Sequence, residues 1–117
     1  MSNIFSITLS IFLISSIFFH FSTALGGGGV GGWTPINDLN ARDVVAIGQF
    51  AVNEHNKEAG TKLEYQSIAK GESQVVAGTN YRLVINAKDG NYARKYLAIV
   101  WDKPWEKVKK LTSFKQM

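Results

Sequence analysis

Residues 41–57 read ARDVVAIGQFAVNEHNK. Val44, Ile47, Gly48, Ala51 and His55 fall at i, i+3, i+4, i+7 and i+11, the spacing of one face of an α-helix. Asn40 stands at the cap position, and Asp43 three residues later completes a weak capping box. Lys57 near the end and Gly60 just beyond it are stop signals. The pattern predicts a helix over Ala41–Lys57. Gly48 on its apolar face costs about 1 kcal/mol of propensity relative to Ala. Close approach of another backbone at the missing Cβ would offset that cost.

After Gly60 the period changes from that of a helix to that of strands. Leu63 and Tyr65 alternate with Lys62, Glu64 and Gln66, and Ile68 breaks the phase, which predicts a bulge. Tyr81, Leu83, Ile85 and Ala87 alternate with Asn80, Arg82, Val84 and Asn86. Lys88-Asp89-Gly90-Asn91 then makes a turn. Tyr96, Ala98 and Val100 form one face of the next strand. Leu97, Ile99 and Trp101 make its other face apolar as well. A further turn holds Pro104-Trp105. Val108, Leu111 and Phe114 then recur every third residue, a period shared by a helix and a bulged strand. One helix followed by hairpin-linked strands is an α+β plan, a single antiparallel β-sheet wrapped around one long α-helix.

Upstream of the helix the chain is different. All thirteen basic and nine acidic residues lie at Asp38 or beyond, whereas Ile4–Phe21 is apolar with hydroxyl residues mixed in. Small residues in Ser22-Thr23-Ala24 fit a signal-peptide cleavage site after Ala24, although Met1-Ser2-Asn3 carries no Lys or Arg. Ser6, Thr8, Ser10, Ser15, Ser16 and His20 weigh against an uncleaved anchor, which needs about 20 apolar residues. The expected organisation is a signal peptide over 1–24, a flexible glycine-rich trunk over 25–32 and a domain over 33–117. The product is expected to be secreted or vacuolar, with no membrane contact after cleavage. Gly26–Gly32 contains GxGxxG, but no strand precedes it in the processed chain and no acidic residue follows at dinucleotide-site spacing.

Composition narrows the function. The chain has 117 residues, a net charge of +4 and no cysteine, which excludes disulfides, thiol nucleophiles and Cys-ligated metals. His20 and His55 are too few for a histidine metal site, and His55 on the apolar face reads as a hydrogen-bonded core residue. No paired carboxylates stand out. Neither an enzyme activity, nor a cofactor, nor a bound metal is expected. Lys107, Lys109 and Lys110 form a basic cluster in which Lys107 and Lys109 share a strand face. It reads as a charged edge strand that resists sheet-to-sheet pairing, and no nucleic-acid partner is expected.

The turns carry more information. Gln74-Val75-Val76-Ala77-Gly78 puts two valines at a hairpin tip, where polar residues are usual. Trp105 sits in another turn and is of a type enriched at binding hot spots. Successive turns of an up-and-down sheet alternate ends, so these two lie at the same end. The extended piece Trp33–Ile36, paired antiparallel beside the second strand, brings Gly31-Gly32 there too. The residues read as a protein-binding module with a three-part apolar edge. The β-branched valines make the first turn a strained hinge, which points to a monomer when active and a slowly formed domain-swapped dimer.

The same residues resemble a family. Ile47–Asn56 is similar to the helix signature of the plant cystatins (phytocystatins), and Gln74–Gly78 to their QxVxG loop. Pro104-Trp105 is similar to the second loop, and Val30–Ile36 to the N-terminal trunk. Four elements in order over about Val30–Lys115 make the resemblance specific. It implies reversible, noncovalent, competitive inhibition of papain-like cysteine proteases, with a role in plant defence. The implied contact residues are Gly31 and Gly32 in the trunk, Gln74, Val75, Val76, Ala77 and Gly78 in the first loop, and Pro104 and Trp105 in the second. Against the family pattern, Leu97 and Ile99 make the outer sheet face unusually apolar. The alternative is a cystatin-like, basic, surface-binding defence protein without protease inhibition.

Overall fold

The alternating segments pair in the order in which the chain supplies them. In the computed structural model, which describes residues 32–117, the elements are β1 (Thr34–Pro35), α1 (Arg42–Ala59), β2 (Glu64–Val75), β3 (Thr79–Asp89), β4 (Tyr92–Lys103) and β5 (Val108–Gln116). A single 3-10 turn, Pro104–Glu106, joins the last two strands. The sheet order is β1-β2-β3-β4-β5 with every neighbouring pair antiparallel. The expected signal peptide over 1–24 and the glycine-rich stretch through Gly31 lie outside the described residues.

The period-2 pattern sets the faces. Leu83, Ile85 and Ala87 of β3 and Tyr96, Ala98 and Val100 of β4 are buried in one cluster with Val44, Ile47, Ala51 and Val52 of α1. Gly48 lies on that helix face. A Cβ there would stand 3.0 Å from Cε1 of Tyr65 and 3.1 Å from Cδ1 of Ile68. The close neighbours are therefore side chains of β2, not the backbone expected from sequence. Gly71 repeats the device within β2, where a Cβ would crowd Leu83, Ile36 and Leu39 at 3.0–3.1 Å. The Gly71 carbonyl accepts the Ile36 N–H at 2.9 Å and ties the N-terminal piece to the sheet.

The ends of α1 differ from expectation. The helix begins at Arg42 with Ala41 as N-cap and no side-chain cap, so Asn40 does not cap it. Asp38 competes for that role: its Oδ1 accepts the Asn40 N–H at 2.9 Å and its carbonyl accepts the Ala41 N–H. Asp43 turns to the Val44 N–H and closes no capping box. The helix runs two residues past Lys57 to Ala59, and Gly60 then ends it at φ 69, its N–H donating to the Asn56 carbonyl.

Asn56 also fastens the helix to β2. Its Nδ2 donates to the Leu63 carbonyl at 3.0 Å, while its Oδ1 accepts from the Leu63 N–H at 3.0 Å and the Thr61 hydroxyl at 2.7 Å. His55 is half-buried and stacks on Phe114 with ring centroids 4.0 Å apart, while Phe114 in turn stacks on Tyr96. It is a stacked residue at the core margin, not an enclosed one.

Bulges explain the irregular periods. In β2 the register shifts between Tyr65 and Ser67 and again between Ile68 and Lys70, so the expected bulge is two. In β5, Val100 pairs with Leu111 but Ile99 with Ser113, which leaves Thr112 as the extra residue. That insertion puts Leu111 and Phe114 on the same inner face. Val108, paired with Lys103, falls on the outer face with Leu97 and Ile99.

The Asn56 clasp generates a prediction. Asn56→Ala strips both backbone groups of buried Leu63 of their partner and is expected to cost about 2–3 kcal/mol. Thr61→Ala, which removes only the exposed bond, is expected to cost about 0.5 kcal/mol. Urea unfolding midpoints check both.

Candidate functional site

The first and third hairpin turns stand at one end of the sheet, joined through the end of β4. β2 ends at Val75 and β3 begins at Thr79, so loop 1 is Val76-Ala77-Gly78. The Val76 N–H donates to the Gly78 carbonyl at 3.0 Å. Left-handed conformations fall on Ala77 (φ 41) and Gly78 (φ 110), so the strain expected at the valines is carried by Ala77 instead. An alanine in that region costs roughly 1–2 kcal/mol.

Gly78 allows a contact that any Cβ would forbid. A Cβ there would lie 2.6 Å from the Asp102 carbonyl oxygen at the end of β4. Beside it, the Trp101 indole N–H donates to the Ala77 carbonyl at 3.1 Å. Loop 1 is thus fastened to the strand that leads into loop 2. Sequence reading counted Trp101 only as an apolar outward residue and missed this bond. The available signal was Trp101 lying three residues before Pro104, at the same end of the meander as Ala77.

Loop 2 is built by Pro104 at the first position of the 3-10 turn, where its missing N–H has no cost. Lys107 closes the turn at φ 54, its N–H donating to the Pro104 carbonyl at 3.0 Å. Lys103 braces it: its Nζ pairs with Glu106 at 3.1 Å and sits 5.6 Å from the Trp101 ring centroid and 5.7 Å from that of Trp105.

The expected contact residues divide into two groups. Val75 and Trp105 are each 66% exposed, and Ala77 and Pro104 are exposed as well. Val76 is half-buried. Gln74, at 2% exposure, is buried, and its Oε1 accepts from Asn80 Nδ2 at 3.2 Å. Gly78 is buried against Asp102. Gln74 and Gly78 therefore support the loop from behind. Gly31 lies outside the described residues, and Gly32 is the first of them. β1 pairs antiparallel with β2 through Thr34 with Ser73 and Pro35 with Glu72, so Trp33 stands at the loop 1 end of the sheet.

Of two open grooves, one is lined by Lys88, Arg94 and Lys95 at the far end, and the other, at loop 2 itself, by Phe50, Asp102, Pro104, Lys107 and Lys109. Among the described residues no group of three His, Asp or Glu side chains could hold a metal. The groups whose titration is moved are Tyr65, Tyr81 and Tyr96. Burial raises all three phenols, with Asp43 and Asp102 adding at Tyr81, so they stay neutral at physiological pH. The three lysines of the expected basic cluster do not share a face. Lys107 is in the turn, Lys109 pairs with Asp102 and Lys110 with Trp101 across the edge strand.

Known proteins agree on this architecture. The family described as "SQAPI: Aspartic acid proteinase inhibitor" matches residues 36–117. Cysteine proteinase inhibitor 1 of Actinidia chinensis is 58% identical over 87 residues, covering 74% of this chain and 75% of that protein. Cysteine proteinase inhibitor 5 of Arabidopsis thaliana is 54% identical, covering 73% and 70%. Among solved structures, the salivary cystatin of the soft tick Ornithodoros moubata superposes with a TM-score of 0.65 at 21% identity, covering 74% of this chain and 96% of that one. Mialostatin, a gut cystatin of the tick Ixodes ricinus, gives 0.64 at 16% identity and covers 74% and 97%. At those identities the structures speak for the fold.

The tie between the loops is testable. Trp101→Phe keeps the apolar ring, removes the bond to Ala77, and is expected to cost about 1 kcal/mol while speeding amide exchange in loop 1. Gly78→Ala meets the Asp102 carbonyl and is expected to cost about 3 kcal/mol. Urea unfolding with hydrogen exchange reads out both.

Proposed function

Because the chain belongs to the plant cystatins, we propose that it is a reversible, noncovalent, competitive inhibitor of papain-like cysteine proteases. It is not an enzyme, and a protease is its partner. The observation that carries the reading is the placement of loop 1 beside loop 2 at one end of the sheet, where Val75 and Trp105 are exposed while Trp101, Gly78 and Asp102 fix the backbone behind them.

The mechanism follows from that geometry. Loop 1 enters the enzyme's cleft and lays the backbone of Val75–Ala77 over the catalytic Cys–His pair. A peptide whose carbonyl stands outside near-attack geometry is bound but not cut. Gly31-Gly32 lets the trunk lie close to the unprimed subsites, where a Cβ would clash. Trp105 covers the primed side as an aromatic anchor. The loops are held before binding, so little ordering entropy is lost on association.

The leader Met1–Ala24 directs the chain to the secretory pathway, as a secreted or vacuolar defence protein. The active form is the monomer. Strain at Ala77 makes loop 1 the hinge through which α1 and its flanking strands exchange with a second molecule on heating. A second reading, inhibition of an aspartic proteinase, takes its support from the description of the matched family. The alternative of a basic surface-binding protein loses support from the lysines' division between two faces and a turn.

Two experiments test the proposal. The chain from Leu25 is expected to inhibit papain competitively and to remain uncut by mass spectrometry after prolonged incubation, with pepsin unaffected and little salt dependence. Trp105→Ala is expected to weaken binding by about 2 kcal/mol, roughly thirtyfold, without lowering the melting temperature. Inhibition of pepsin alone would move the assignment to aspartic proteinases. In the second experiment, a heated sample separated by size is expected to yield a dimer that does not inhibit papain. Ala77→Gly, which adopts the φ of 41° without strain, is expected to lower its yield.

A further inference from the structure

β1 is the slenderest element of the sheet. It contributes two register pairs, and one of them is Pro35, which has no N–H to donate. Yet this element delivers the trunk to the binding edge. On its inner side the Ile36 bond to Gly71 and the packing of Ile36 and Leu39 hold it, and a second hold lies on the outer face.

The register brings the needed groups together on the outer face. Pro35 pairs with Glu72, Glu72 with Arg82, and Arg82 with Ile99, so these side chains form a row across four strands. Trp33, two residues before Pro35, falls on the same face. The Arg82 guanidinium lies 4.2 Å from the Trp33 ring centroid. Its Nε and Nη2 both donate to Glu72 Oε1, at 2.9 and 2.8 Å. Both members of the ion pair are partly buried. Glu72 thus sets the orientation of the guanidinium, and the guanidinium receives the indole. A cation over a tryptophan face within about 6 Å is attractive, and more so when shielded from water.

We propose that Arg82 is a positioning residue for the N-terminal contact segment: fixed by Glu72, it holds Trp33, and with it the start of β1, at the loop 1 end of the sheet that meets the protease. The inference rests on the inhibitory reading above. It adds a residue outside all three contact segments. Holding the trunk raises its effective concentration at the cleft once the loops have docked, so the effect falls on dissociation.

The test uses the purified inhibitor with Arg82→Gln and Trp33→Leu, alone and together, and Trp33→Phe. Dissociation from papain is followed by surface plasmon resonance, exchange of the Ile36 amide by NMR in the free protein, and stability by urea unfolding. Arg82→Gln is expected to speed dissociation about three- to tenfold and to speed Ile36 exchange, with an unchanged urea midpoint. Trp33→Leu should match it, the double variant should add nothing, and Trp33→Phe should keep most of the slow dissociation. Additive effects of the two substitutions, a urea midpoint that falls in step with affinity, or unchanged dissociation and exchange would overturn the proposal. If the unsubstituted protein fails to inhibit papain, the inhibitory reading falls, and Ile36 exchange still decides whether Arg82 holds the strand.

Discussion

Gly48 lets α1 sit against β2 so closely that a side chain there would press on the Tyr65 ring and the Ile68 tip. That seating depends on a residue which weakens the helix in isolation. With the helix down, Ile47, Ala51 and Val52 close over Leu83, Ile85 and Val100, and the sheet acquires one dry face. The strands then have fixed inner and outer sides, and their ends fall at fixed heights. The placement of both loops follows from this packing, because Leu83 lies shortly after loop 1 in β3 and Val100 shortly before loop 2 in β4.

Two supports of the binding edge lie behind its tips. Loop 1 rests on the Asp102 carbonyl and the Trp101 indole, and loop 2 on a proline-started turn braced by Lys103. The exposed side chains, Val75 and Trp105, take little part in that support. The loop backbones are tied from behind, and the tips they present to solvent are apolar.

Much of this was legible in the chain. The 3.6-residue period located α1, the period of two located β3 and β4, and the alternation of turns placed the Gln74–Gly78 and Pro104-Trp105 turns at one end of the sheet. What escaped had physical causes. Asn40 has the chemistry of a cap, but Asp38 engages its N–H and holds the entering chain in another turn. The three-residue period in the last strand was ambiguous because one inserted residue, Thr112, restores the inner face after a break. Gln74 looked like a contact residue but is buried. Bonds between segments distant in the chain, such as Trp101 to Ala77 and Arg82 to Trp33, depend on register and cannot be read from local spacing. The contact roles of Gly31, Gly32 and the loop residues belong to the functional proposal.

The division between tips and supports has an evolutionary consequence. A change at Val75 or Trp105 removes little buried surface, so it spends little of the marginal stability that keeps the chain folded. A change at Gly78 or Gly48 meets a fixed neighbour at once. Substitutions can therefore accumulate at these exposed positions while the scaffold beneath stays constant. One sheet-and-helix frame can in this way carry different tips, each variant inheriting a stable fold at the outset.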